Sequence, residues 1–281
     1  MAVLTGGEVA ALSTTAISGL TATQISALSS TQFASLSATG FGALTTGQLA
    51  GLNTTQIGML SATEISGLAQ SQVAALTTTQ FAGLTATGIG ALSADGLAGL
   101  TAGQIDTMSL TQIAGLQASQ IGAMTTDAVS DFSATDIANM SVTQLGGLVR
   151  MQLRALSAGQ LDAMSTTQIA SLTPTEMGNL QAAQLNELSD DQFGAISSTQ
   201  ISGMVATQLG SMNTTRIEAL SAVQLSGLTT TMAAVLPSTM IAALTVDQLE
   251  ALDATQIAAF TSTQLAGMTP DQLAALQAAV S

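Results

Sequence analysis

The side chains of this chain able to do chemistry are seventeen carboxylates, three arginines and thirteen methionines, set among many serine and threonine hydroxyls; there is no His, Cys, Lys, Tyr or Trp. Asp127, Asp131 and Asp136 lie close together in sequence, as do Asp190 and Asp191. Carboxylates at such spacing bridge cations or act as acid and base. Neither the EF-hand spacing nor the Gly-rich calcium nonapeptide is present, and no His, Lys or Tyr accompanies them, so these acids read as solvated corners. Seven methionines, Met108, Met124, Met140, Met164, Met204, Met212 and Met268, stand where Leu is otherwise the rule, which makes them core residues rather than soft-metal ligands. Gly40 with Gly42 and Gly88 with Gly90 begin a GxGxxG, but Thr45 and Ser93 occupy the third glycine position, and without Lys a GxxxxGK[ST] loop is impossible. The expectation is a protein that is not an enzyme and uses no cofactor or metal.

Two features point to binding. Arg150 and Arg154 flank Met151 and Leu153 where Val149 replaces a usual Ser or Thr. They form either a lateral contact with acids of another molecule or drift at solvent-facing positions. Thr-x-Thr triplets such as Thr21-Ala22-Thr23 and Thr77-Thr78-Thr79 raise an ice-binding alternative, although Gly47, Gly103, Asp127, Ala183 and Asp247 interrupt the array. A net charge of −14 disfavours nucleic acid and anionic membranes. Polar residues interrupt nearly every apolar group, leaving no run long enough for membrane insertion. Residues 1–8 lack the pattern of a cleaved secretory signal.

The elements that carry these residues repeat every eight. Thirty-five octads, positions a to h with a at Met1, Val9, Ile17 and Ile25, fill residues 1–280 without insertion or deletion. Position a is large and apolar in 34 octads, Ala233 being the exception, and d is large and apolar in all 35. Position e is Ser or Thr in 25 octads, and h is Gln in 22. Ser29-Ser30-Thr31-Gln32-Phe33-Ala34-Ser35-Leu36 shows the unit, whose first four residues form a capping box: the e hydroxyl accepts the h N–H, and the h amide accepts the e N–H. Each octad should therefore start a new short helix.

One long helix is excluded because eight residues advance the apolar pair by about 80° per octad, smearing it around the cylinder. A strand is excluded because a and d would fall on opposite faces. Helices of five or six residues need stacking to survive. Glycine at c falls at 19, 51, 67, 83, 99, 115, 147 and 227, all separated by multiples of sixteen, with only Gly203 and Gly267 in the alternate set. That spacing predicts an all-α repeat solenoid with two short helices per 16-residue coil, glycine marking the closest backbone approach, in an elongated rod of about 17 coils and roughly 150 Å. The prediction is one solenoid domain over residues 1–281, with no linker and local irregularities near 145–156 and 232–240, where Arg150, Arg154, Ala233 and Pro237 break the pattern.

The repeat, as in Leu76-Thr77-Thr78-Thr79-Gln80-Phe81-Ala82-Gly83-Leu84, resembles the LTxxQ(I/L)xxL repeats of long bacterial proteins of secreted, adhesin-like or haem-utilisation type, along essentially the whole chain. The resemblance implies an extracellular or cell-surface setting. The matched positions are caps and core and carry no catalytic residue, and a haem site would have only Met as ligand. The reading that follows is a structural rod whose uncapped ends, Met1 and Leu4 at one and Leu273 and Leu276 at the other, stack on further copies as a filament or surface fibre. The alternatives are a stalk segment of a larger secreted adhesin and an ice-binding protein.

Overall fold

The computed structural model describes residues 4–279. Among them every regular element is a helix: 34 in all, from α1 (Gly6–Ala10) to α34 (Pro270–Ala279). Each start is built locally. At α3 (Ala22–Ser26) the Thr21 hydroxyl accepts the Gln24 N–H at 3.2 Å, while Gln24 Oε1 accepts the Thr21 N–H at 2.8 Å. A cap of this kind contributes about 1 kcal/mol. Where the hydroxyl is missing, the glutamine half persists: the Val149 N–H donates to Gln152 Oε1 at 2.9 Å and the Val205 N–H to Gln208 Oε1 at 2.6 Å. The helix–corner alternation thus continues through both segments where irregularity is expected, as α19 (Arg150–Ala155) and, beside Pro237, α29 (Thr230–Val235) and α30 (Ser238–Ala242).

Helices end at d. Leu76, after α9 (Gln70–Ala75), has φ −65° and ψ 129°, and Thr77 has φ −64° and ψ 156°. Two successive extended residues, d and e, make this corner, as they do after α14 (Leu110–Gly115) at Leu116 and Gln117. No described residue has positive φ, so the tight reversal that a left-handed residue allows is absent.

That local fact decides the coil. α3 packs on α6 (Thr46–Ala50), α6 on α9, α9 on α12 (Ala94–Leu97), α12 on α15 (Ala118–Ala123) and α15 on α18 (Val142–Leu145); every substantial helix pair is likewise three apart. One turn takes three helices, hence three octads, which corrects the expected two helices and 16 residues. A two-sided coil would have to reverse the chain at each corner, whereas three helices per turn need each corner to deflect it by only about a third of a circle. The 16-residue glycine spacing has another meaning. Octads three apart have opposite parity, so alternation along the chain becomes alternation up a side where the glycines are kept. The column from α3 to α18 carries Ala27, Gly51, Ala75, Gly99, Ala123 and Gly147 in order at c.

The chain divides into two compact units, between Leu148 and Val149. The second repeats the architecture, with α19 packed on α22 (Pro174–Asn179), α22 on α25 (Ser198–Gly203) and α25 on α28 (Ala222–Leu225). In both units a and d point inward: Ile25, Phe41, Leu49, Ile169 and Leu185 are fully buried, and the seven d methionines are buried as expected. Sides meet in the middle. Phe33 and Phe41, from consecutive sides, stack edge to face at 6.1 Å.

Candidate functional site

Position h does more than cap. Of the 22 glutamines there, all but Gln24 are buried. Gln104 shows why: its Oε1 accepts the Thr101 N–H at 3.0 Å, and its Nε2 donates to the carbonyls of Val73 and Leu76, both at 2.8 Å, in the preceding turn. Gln48, on Ile17 and Leu20, and Gln80, on Leu49 and Leu52, repeat the arrangement. One amide therefore starts its own helix and satisfies the corner carbonyls below, and no buried side-chain polar atom among the described residues lacks a partner. Only the capping half is local enough to be legible in the sequence, because the other half joins residues 28 and 31 apart. Arg216 stands at h in place of Gln and does the same work with a guanidinium. It donates to the Leu188 carbonyl, pairs with Asp190 at 2.8 Å and lies 5.2 Å over the Phe193 ring.

Burial differs between the first turns of the first unit and the last turns of the second. Near the start the a residues Val9, Ile17 and Ile25 are buried while the d residues Leu4, Leu12 and Leu20 are partly exposed. Near the end the d residues Phe260, Met268 and Leu276 are buried while the a residues Ile257, Leu265 and Leu273 are exposed in part, Leu273 at 36%. Each turn thus buries d against the turn before and a against the turn after. Of the residues expected to stack at the ends, Leu4 and Leu273 lie on these faces, Leu276 is buried, and Met1 lies outside the described residues. The Gln24 amide nitrogen, in the first turn, meets no carbonyl among the described residues, and the corner carbonyls of Leu252, Phe260 and Met268 receive no glutamine.

Arg150 and Arg154 are exposed on α19 and border a surface groove of about 440 Å³ with Gly178, Gln181, Val205 and Thr207. Neither forms an ion pair among the described residues. The acids are dispersed: no cluster of three potential ligands occurs among the described residues. Asp136 accepts from the Ser133 N–H at 2.8 Å and hydroxyl at 2.7 Å, completing a capping box, and Asp190 pairs with Arg216. Two carboxyls are held below their usual pKa. For Glu8 the cause is hydrogen bonds from the Thr5 N–H and hydroxyl, and for Asp253 it is the Thr255 hydroxyl and then the Gln256 N–H. Threonines at e, such as Thr21 and Thr77, spend their hydroxyls on caps, so a threonine array facing solvent reduces to position g. No helix among the described residues is long and apolar enough to cross a membrane.

Residues 1–38 and 241–278 match the model of the ALTTAQ repeat. Its name spells positions c to h, as in Ala75-Leu76-Thr77-Thr78-Thr79-Gln80. No curated protein matches the chain. The chain is a helical repeat protein, an architecture consistent with a structural role.

Proposed function

We propose that this solenoid is a non-enzymatic structural protein that associates with itself end to end, forming a filament or cell-surface fibre outside the cell. The observation that carries this reading is the complementarity of the two end faces. Leu4, Leu12 and Leu20 at one end are the residue class that every interior turn presses onto the class exposed at the other, Ile257, Leu265 and Leu273. Stacking would bury both sets, and the Gln24 amide nitrogen would face corner carbonyls that receive no glutamine among the described residues. Such a contact is heterologous and generates an open polymer. The extracellular setting rests on the resemblance to secreted repeat proteins. The same faces would continue the solenoid if further octads followed in a longer stalk, a reading favoured by the repeat match at both ends.

Electron microscopy of the 281-residue chain tests the proposal. Fibres of uniform narrow width are expected, persisting at high salt because the contact is apolar. Leu12→Glu with Leu20→Glu, with helicity retained by circular dichroism, should abolish them. Single particles at every concentration would overturn it.

A further inference from the structure

We propose a second, lateral contact between copies of this chain, in which Arg150 and Arg154 of one copy receive Asp127 and Asp131 of another. It uses neither end face and stands independently of end-to-end stacking. The chain has three cations, and Arg216 is occupied by Asp190 and the Leu188 carbonyl. Arg150 and Arg154, four residues apart on α19, are left without an ion pair among the described residues. Met151, between them in sequence, is 64% exposed and Val149, just before Arg150, 47%, so exposed apolar surface adjoins the two charges, as in a contact with a polar rim.

An acidic partner with the same spacing is present in the chain. Asp127 and Asp131 are four residues apart across α16 (Thr126–Ser130), with Asp131 as its C-cap, and neither is in an ion pair among the described residues. The other acids fit less well. Asp136, Glu176 and Asp253 are engaged by hydroxyl and backbone donors, Glu187 and Asp191 lie on either side of a corner, and Asp247 and Glu250 are three apart. Two pairs of matched spacing and opposite sign set one register, and in a chain of net charge −14 the arginine pair, unpaired among the described residues, attracts an acidic surface of a second copy.

Sedimentation velocity on the full chain, in about 20 mM and about 500 mM salt, tests this, since charge contacts between exposed groups are screened over that range. Association that is salt-labile and weakens about tenfold or more at high salt is expected. Arg150→Glu/Arg154→Glu and Asp127→Arg/Asp131→Arg should each lose it, and an equimolar mixture of the two variants should restore it, because each then offers the other an opposite pair. Arg150, Arg154 and Asp127 are exposed and Asp131 is half-buried as the C-cap of α16, so retained helicity is checked for each variant, and Asp127→Arg alone serves where the double variant does not fold. A salt-labile contact that survives either variant, or a mixture that stays dissociated, would overturn the proposal, as would a wild-type chain with no salt-labile association. Loss of fibres with this pattern intact would count against end stacking alone.

Discussion

At position h one glutamine ties two turns together, and its worth is measurable by comparing positions that use one half or both halves of the amide. Gln104 satisfies the Thr101 N–H and the Val73 and Leu76 carbonyls; the Val73 carbonyl also accepts from the Leu76 N–H, so Gln104→Ala leaves the Thr101 N–H and the Leu76 carbonyl without their partner and should cost about 1–3 kcal/mol in chemical denaturation. Gln24 bonds only within its own capping box, so Gln24→Ala should cost less than about 1 kcal/mol. Glu64 keeps the capping half, accepting from the Ser61 N–H at 2.7 Å, but a carboxylate has no N–H to give the turn below. Glu64→Gln supplies one at the offset where Gln104 reaches Leu76, and a rise in stability of about 1 kcal/mol is expected on thermal unfolding. Glu8 and Asp253 have pH-dependent roles. Because their folded pKa values lie below the unfolded ones, their contribution is fully present above the ordinary carboxylate range and is lost as pH falls through the depressed folded values. Carboxyl chemical-shift titration of Glu8 should give a midpoint below that of a free glutamate, and Thr5→Ala should move it upward.

Helices of this length stand by packing, and glycine shows where packing leaves no room. A Cβ on Gly99, at the end of α12, would overlap the Gln70 carbonyl at the start of α9, whereas a Cβ on Gly47 in α6 would meet nothing within 4 Å. Gly99→Ala should therefore destabilise by about 1–3 kcal/mol through forced separation of two backbones. Gly47→Ala should stabilise by about 0.5–1 kcal/mol through helix propensity. Denaturation midpoints of the two variants, moving in opposite directions, check both. Substitution at h is also absorbed by packing: at Gly40 and Gly88 the space of the missing side chain is taken by Ile17 and Ile65, whose Cδ1 atoms lie 2.7 Å from where a Cβ would stand.

For the whole molecule, the two proposed contacts differ in physical character and can be separated. End stacking is apolar, so it should resist salt and fail in Leu12→Glu/Leu20→Glu; the lateral contact is ionic, so it should fail in salt and in Arg150→Glu/Arg154→Glu. In electron micrographs the arginine variant is expected to retain single narrow fibres but lose side-by-side association, and the leucine variant to show the reverse at low salt. If both variants lost both kinds of contact, the separation into two interfaces would be wrong.

The octads, their helix starts and their inward residues were legible in the sequence because each rests on contacts within eight residues: Thr21 with Gln24, Ile25 with Leu28. The buried methionines, from Met108 to Met268, were legible for the same reason. The number of sides was not. Glycine at c repeats by sixteen, but whether that spacing marks a turn or an alternation between turns depends on how far the extended Leu76–Thr77 pair bends the chain, which no residue type encodes alone. The second half of each glutamine was hidden likewise, because the carbonyls it meets are 28 and 31 residues away and become neighbours only when three helices close a turn. Local hydrogen bonds and periodicity are properties of the sequence; the partner across a turn is a property of the closed coil.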